Sequence, residues 1–235
     1  MEHSNVLIVG GGCAGISVAS RINSLKSDLS ISIIEPSEKS LYQAAWTLVG
    51  AGAYDVGNTI KPMSEVMPSY VKWIKEHAEE FMPDSNSVKT NSNTYTYDYL
   101  VVCPGLKLNF DGVAGLKESL GKNNVCTNYS AEMATYTWEC LKNLDGGTLL
   151  FTEPPMPIKC AGAPQKAMYL SCDHWFKEGV LNDINVEFYN TGAVLFGVKE
   201  YVPALMEYVK KYNAALNFEH QLVKVDGKAK VASFK

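Results

Sequence analysis

The chain opens on a short apolar run, Val6-Leu7-Ile8-Val9, then three glycines, then a segment with apolar side chains at Ile16, Val18, Ala19, Ile22 and Leu25. A continuous apolar run of that length reads as a strand buried on both faces, and the recurrence that follows reads as an amphipathic helix. The pattern predicts a strand over residues 5–10, a helix over 13–26 and a strand over 30–35, which together make a βαβ unit. Residues 71–96 hold short strands broken by polar positions and predict a small antiparallel insertion that turns at Asp84-Ser85-Asn86. The segment from Tyr97 to Cys103 then predicts a buried strand, with a tight turn at Pro104-Gly105. After Asp145-Gly146-Gly147 the pattern starts again, with a strand over 148–152, helices near 163–178 and 199–213, and a strand near 185–189. The expected organisation is a first α/β domain over residues 1–145 and a second over 146–235.

The first turn carries chemistry. Gly10, Gly12 and Gly15 stand at GxGxxG spacing between strand and helix. Gly10 permits the tight turn, Gly12 lets the backbone approach a pyrophosphate, and Gly15 lets the helix pack closely on the strand. The N–H groups of Cys13 and Ala14 open the helix and face the anion. Glu35, about 20 residues further on, ends the next strand where a carboxylate can accept hydrogen bonds from ribose hydroxyls. The corresponding turn of the second unit, Glu153-Pro154-Pro155-Met156-Pro157, is stiff and poor in N–H groups, so it is not expected to cradle a second pyrophosphate. Asn190, not an acid, follows the next strand, which disfavours NAD(P)H as electron donor. In place of a second glycine turn stands Ile158-Lys159-Cys160-Ala161-Gly162-Ala163-Pro164-Gln165-Lys166, a cysteine just ahead of a helix.

Composition narrows the function classes. The 235 residues are 46% hydrophobic and 20% charged, the balance of a globular protein. The formal charge is -4, from 21 basic and 25 acidic residues, and Arg21 is the sole arginine. No basic stripe exists to neutralise a phosphate backbone, so nucleic acid is not an expected partner. No apolar run approaches the roughly 20 residues needed to span a bilayer, and the N-terminus shows neither a secretory nor a transit pattern. Six cysteines, Cys13, Cys103, Cys126, Cys140, Cys160 and Cys172, include no CxxC pair. Most are expected to be small buried hydrophobes, with one or two redox-active. His3, His77, His174 and His220 lack metal-ligand spacing, and no metal is expected.

Three blocks resemble sulfide:quinone oxidoreductases of the mitochondrial type: Tyr42-Gln43 with Trp46-Thr47-Leu48-Val49-Gly50-Ala51-Gly52, the Cys160 segment, and Gly192-Ala193-Val194-Leu195-Phe196-Gly197-Val198-Lys199. The resemblance implies an α/β, Rossmann-like flavoprotein with two dinucleotide-binding-type domains, the second incomplete in this chain. It implies FAD as cofactor, hydrogen sulfide as substrate, a sulfane sulfur as product, and quinone as electron acceptor. By the same resemblance Cys160 matches a redox cysteine beside the flavin, which Lys159 or the following helix N-terminus could favour as an anion. Gln43 and Ala78 fall where similar proteins touch FAD, the first by side chain and the second by backbone. Gly105 ends a segment that returns the chain to the cofactor in related flavoproteins. Tyr42 and Trp46 either line the flavin or pack in the core. Cys126 resembles a further cysteine of bacterial members, and Cys13 is expected to contribute only its backbone. Location at the mitochondrial inner membrane, and membrane contact through a C-terminal region that members possess beyond the length matched here, are implied by the resemblance alone. The alternative from another class is a non-catalytic nucleotide-binding or interaction module.

Overall fold

The computed structural model describes residues 2–235, which form two compact units. The first comprises the chain up to Tyr42 together with Ile60–Lys107. In it β1 (Glu2–Val9), α1 (Cys13–Leu25) and β2 (Ile31–Ile34) form the βαβ unit that the apolar pattern predicts. A short antiparallel ladder joins β3 (Lys39–Leu41) to β4 (Ile60–Pro62). β5 (Val71–Ile74), β6 (Ala78–Met82), β7 (Ser87–Thr90) and β8 (Thr94–Val102) complete a six-stranded sheet in the order β5-β2-β1-β8-β7-β6. β5, β2, β1 and β8 run parallel, with Ile8 set between Ile33 and Val101, while β7 and β6 are added antiparallel.

Side chains alternate across β1, and both faces are covered. Val6 and Ile8 pack with Ile31, Ile33 and Ala19 of α1, whereas Leu7 and Val9 pack on the other face with Ile34, Ile74, Tyr95 and Tyr97. The insertion expected over 71–96 is smaller than its polar interruptions suggest, because Val71–Ile74 is an edge strand parallel to β2. Its solvent-facing Lys72 pairs with Glu2 at 2.5 Å, and such a polar position marks an edge strand as readily as an insertion. The hairpin proper is β6–β7, turned through Pro83–Ser85 with Asn86 left-handed at φ 45°. β8 is buried only in its first half, and Tyr99 remains 69% exposed.

The second unit comprises Gln43–Thr59 with Leu108–Lys235. It contains α2 (Ala131–Leu141), β9 (Gly147–Glu153), α3 (Ala163–Glu178), β10 (Ile184–Asn190), α4 (Val202–Lys211), β11 (Ala215–Phe218), and an antiparallel pair of β12 (Leu222–Asp226) with β13 (Val231–Phe234). β9, β10 and β11 form a parallel sheet in the order β11-β10-β9. Met168, Cys172 and Trp175 of α3 recur with helical spacing and pack on Val186 and Phe188 of β10, all of them buried. Leu141 of α2 joins this core, and its carbonyl accepts a hydrogen bond from Trp175 Nε1–H at 3.0 Å, so residues 108–145 pack with the second unit. The expected helix over 199–213 divides into a turn at Lys199–Tyr201 and α4, whose first turn contains Pro203. Tyr189 stacks on Phe234 with ring centroids 4.0 Å apart and so ties β13 to β10. Among the described residues, no helix is long and apolar enough to cross a membrane.

Candidate functional site

The turn between β1 and α1 is built by three close approaches. Gly10 has φ +104°, and a Cβ on it would meet the Cys103 carbonyl oxygen at 2.1 Å. Only glycine adopts that conformation freely and tolerates the 103–104 segment against it. Cys103 N–H donates to Val9 O at 2.8 Å and Gly10 N–H to Ile34 O at 2.9 Å, so the ends of β8, β1 and β2 lie level. A Cβ on Gly15 would fall 1.9 Å from Gly10 O, which places α1 directly on the turn. Gly12 differs from both: it is exposed, and a Cβ there would meet nothing within 4 Å. The first intrahelical bond runs from Ile16 N–H to Gly12 O at 3.1 Å, leaving the N–H groups of Cys13 and Ala14 without helical acceptors. An open space bounded by a helix start and its free N–H groups suits a pyrophosphate.

Glu35 stands at the edge of this space. Its Oε2 accepts from Gly11 N–H at 2.9 Å and its Oε1 from Ser37 N–H at 2.7 Å. A Cβ on Gly11 would lie 2.7 Å from Glu35 Cβ, so Gly11 is the glycine that admits this carboxylate. The GxGxxG spacing does not single out Gly11; the signal that could have found it is the run of three glycines itself. Two bonds leave the carboxylate with spare lone pairs, enough to accept from a pair of ribose hydroxyls. The residues present therefore fit a dinucleotide.

The other expected contacts divide between the units. Ala78, half-buried at the start of β6, packs against the cluster that holds Val9, Ile34 and Ile74. Gly105, at φ +78°, follows Cys103-Pro104 in the same unit. Gln43 is exposed at the start of a short turn of helix in the second unit. Trp46 is buried with Val49 and Ala134 and donates from Nε1 to Thr59 Oγ1 at 3.2 Å, which makes it a packing residue of that unit. Tyr42 is 56% exposed.

Cys160 lies in the loop between β9 and α3, and its thiol-bearing residue is exposed. Its backbone is anchored: the carbonyl accepts from Ala163 N–H and from the Tyr129 hydroxyl, each at 3.1 Å. Lys159 turns toward Trp46, with Nζ 5.2 Å from the ring centroid, and burial lowers its pKa. Two neighbours escape a reading of the sequence. Glu153, at the end of β9, has a buried Oε2 without a hydrogen-bond partner, and burial pushes its carboxyl up to about 7. Tyr129 is held above the usual phenol range by burial first and then by the charges of Cys160 and Glu153, so the three groups share one electrostatic neighbourhood. No local motif marks Tyr129, and Glu153 is masked by the prolines that follow it.

At the end of β10, Asn190 Nδ2 donates to Val194 O at 3.0 Å and its Oδ1 accepts from Gly192 N–H at 2.6 Å. This side chain shapes its own loop. Gln165 of α3 donates to Leu195 O from the buried side of the same loop. Among the described residues no group of three or more His, Cys, Asp or Glu side chains could hold a metal ion.

Comparison with known proteins gives the family. The chain is 38% identical over 225 residues to the mitochondrial sulfide:quinone oxidoreductase of Mus musculus, a match covering 95% of this chain and 50% of that protein. It is 41% identical over 234 residues to the mitochondrial enzyme of the same name from Dictyostelium discoideum, covering 98% of this chain and 52% of that protein. The chain thus spans about half the length of the curated relatives it matches. The crystal structure of the sulfide:quinone oxidoreductase from Aquifex aeolicus superposes with a TM-score of 0.79 at 22% identity, over 100% of this chain and 56% of that one, which is a likeness of fold. The pyridine nucleotide-disulphide oxidoreductase family matches residues 4–135, the part that carries the glycine turn, Glu35, Ala78 and Gly105. With more than half of its length so matched, the chain belongs to the pyridine nucleotide-disulphide oxidoreductase family, a family of FAD-binding flavoproteins.

Proposed function

We propose that this chain is the FAD-holding and sulfur-accepting part of a sulfide:quinone oxidoreductase, in which hydrogen sulfide is oxidised to sulfane sulfur and the electrons pass to a quinone. The observation that carries the reading is an exposed Cys160 at the turn ahead of α3, within a stretch of 35–41% identity to three mitochondrial enzymes of that name. Gly10, Gly12, Cys13, Ala14 and Gly15 would hold the pyrophosphate, Glu35 the ribose, and Gln43, Ala78 and Gly105 further parts of FAD. When bound, FAD supplies a two-electron acceptor for sulfide and a donor for quinone. Cys160 takes the sulfur: its thiol and hydrogen sulfide give a persulfide, two protons and two electrons. The hydrogen bonds to the Cys160 carbonyl fix the backbone while leaving the thiol accessible. Mitochondrial location and contact with the inner membrane belong to the same proposal, supported by the relatives' names only as far as the mitochondrion.

The test is mass analysis of the peptide Cys160–Lys166, which cleavage after lysine releases with a single cysteine. After anaerobic incubation of the chain with FAD and sulfide, that peptide gains one sulfur atom, and omitting either reagent abolishes the gain. An unmodified peptide, or sulfur found only on other cysteines, overturns the proposal.

A further inference from the structure

The turn that carries Cys160 has almost no hydrogen bonds of its own. Residues 154–162 lie outside both β9 and α3, and Pro154, Pro155 and Pro157 have no N–H to donate. Among the described residues, the Cys160 carbonyl is the one backbone group of the stretch 154–161 that makes a hydrogen bond. One of its two donors, Ala163 N–H at 3.1 Å, belongs to the first turn of α3, the helix the loop itself leads into. The other is the Tyr129 hydroxyl, also at 3.1 Å, which comes from 31 residues back along the chain. Lys159 Nζ, 5.2 Å from the Trp46 ring centroid, adds a contact that holds the end of a side chain rather than the backbone.

Tyr129 stands on a braced base. Its own N–H donates to Thr127 Oγ1 at 3.2 Å, and the next residue, Ser130, opens α2 with its carbonyl accepting from Ala134 N–H at 2.9 Å. Asn128, one residue earlier, fills a slot left by Gly50, where a Cβ would fall 2.1 Å from Asn128 Oδ1. Tyr129 is half-buried, and burial first holds its phenol above the ordinary range, so the hydroxyl keeps its proton through neutral and mildly alkaline pH. A hydroxyl has one proton to donate, and here the Cys160 carbonyl takes it.

We propose that Tyr129 is the positioning residue of Cys160: its hydroxyl ties the cysteine turn to the base of α2 and holds the thiol in the orientation from which its sulfur chemistry proceeds. This rests on the assignment of Cys160 as sulfur acceptor. A group that reacts in one geometry loses rate when its backbone samples others. The bond from Tyr129 runs to the carbonyl and not to sulfur, so losing it changes how often the thiol is in place and leaves the thiol itself unaltered. One hydrogen bond of this kind is worth about a fivefold shift between held and released turn.

The test compares the FAD-loaded full chain with Tyr129→Phe, which keeps the ring and loses only the hydroxyl. Cleavage of the native chain after Lys159 reports the released turn and should run about fivefold faster in the variant. Sulfur gain on the peptide Cys160–Lys166 should be about fivefold slower at saturating sulfide, with the half-saturating sulfide concentration unchanged. Alkylation of Cys160 by iodoacetamide should match in the two chains, because the thiol is exposed, and Cys172, fully buried in the same unit, should stay unalkylated in both as the mark of an intact fold. Equal cleavage in both chains overturns the proposal. Faster cleavage with undiminished sulfur gain, or slower gain accompanied by alkylation of Cys172, also overturns it, since Tyr129 is then a structural residue only. No sulfur gain in the unmutated chain overturns the assignment of Cys160 itself, and the role of Tyr129 falls with it.

Discussion

Gly12 and Gly15 belong to the same fingerprint, yet the structure demands opposite outcomes when each gains a side chain. At Gly15 a Cβ lands 1.9 Å from Gly10 O, and the neighbouring Ile8 side chain is 3.3 Å away, so neither backbone nor core can yield cheaply. Gly15→Ala should cost about 3 kcal/mol, the upper end of the range for overpacked cores, which lowers the melting temperature of a unit this size by roughly 12–24 °C. At Gly12 the backbone is extended, with φ -74° and ψ -169°, and the space beside it is empty. Gly12→Val should therefore cost about 1 kcal/mol at most, from the loss of a favoured N-cap residue. Its side chain fills the space assigned to the pyrophosphate, and FAD affinity should fall at least tenfold, about 1.4 kcal/mol. Thermal unfolding of the FAD-free chains, followed by fluorescence titration with FAD, separates the two effects. A Gly12→Val chain that binds FAD as well as the unmutated protein, or that melts as early as Gly15→Ala, would refute the assignment of that space.

Other consequences are smaller in scope. Glu35→Ala strands the Gly11 N–H and should destabilise the first unit by about 1–2 kcal/mol while weakening FAD binding, whereas a change confined to stability would remove Glu35 from the cofactor site. Trp175→Ala removes a fully buried ring and its bond to Leu141 O and should cost about 3–5 kcal/mol in denaturant unfolding; a cost under 1 kcal/mol would contradict the core described here. Glu153 has a folded-state pKa raised from 4.5 to about 7, so the fold favours its neutral form. The penalty is absent below the unfolded value, grows between the two, and is complete above 7, so this group lowers stability as pH rises. Glu153→Gln should therefore be neutral at pH 4 and stabilising at pH 8, by about 1–2 kcal/mol once partial exposure is allowed for; equal effects at both pH values would remove the carboxyl as their cause.

The sequence makes the βαβ unit legible because two periods change at the glycines, from the run Val6–Val9 to the helical recurrence Ile16–Leu25, and both faces of the strand are apolar. Val71–Ile74 misleads because a parallel strand at a sheet edge shows solvent one polar position, Lys72, and so reads like insertion. The bond from Gly11 to Glu35 depends on how strand ends align in space, which spacing alone does not encode. The same holds for Tyr129 and Glu153 near Cys160. That grouping requires the loop after β9 to return toward the segment before α2.

The central claim is that Cys160 links sulfide to FAD in this chain. Its most direct test is an anaerobic sulfide titration of the FAD-loaded protein, followed by flavin absorbance, with Cys160→Ser loaded to the same FAD content beside it. The account predicts that the flavin band bleaches with sulfide in the unmutated chain and stays unchanged in Cys160→Ser. Equal bleaching in both, or none in the unmutated chain, would contradict it.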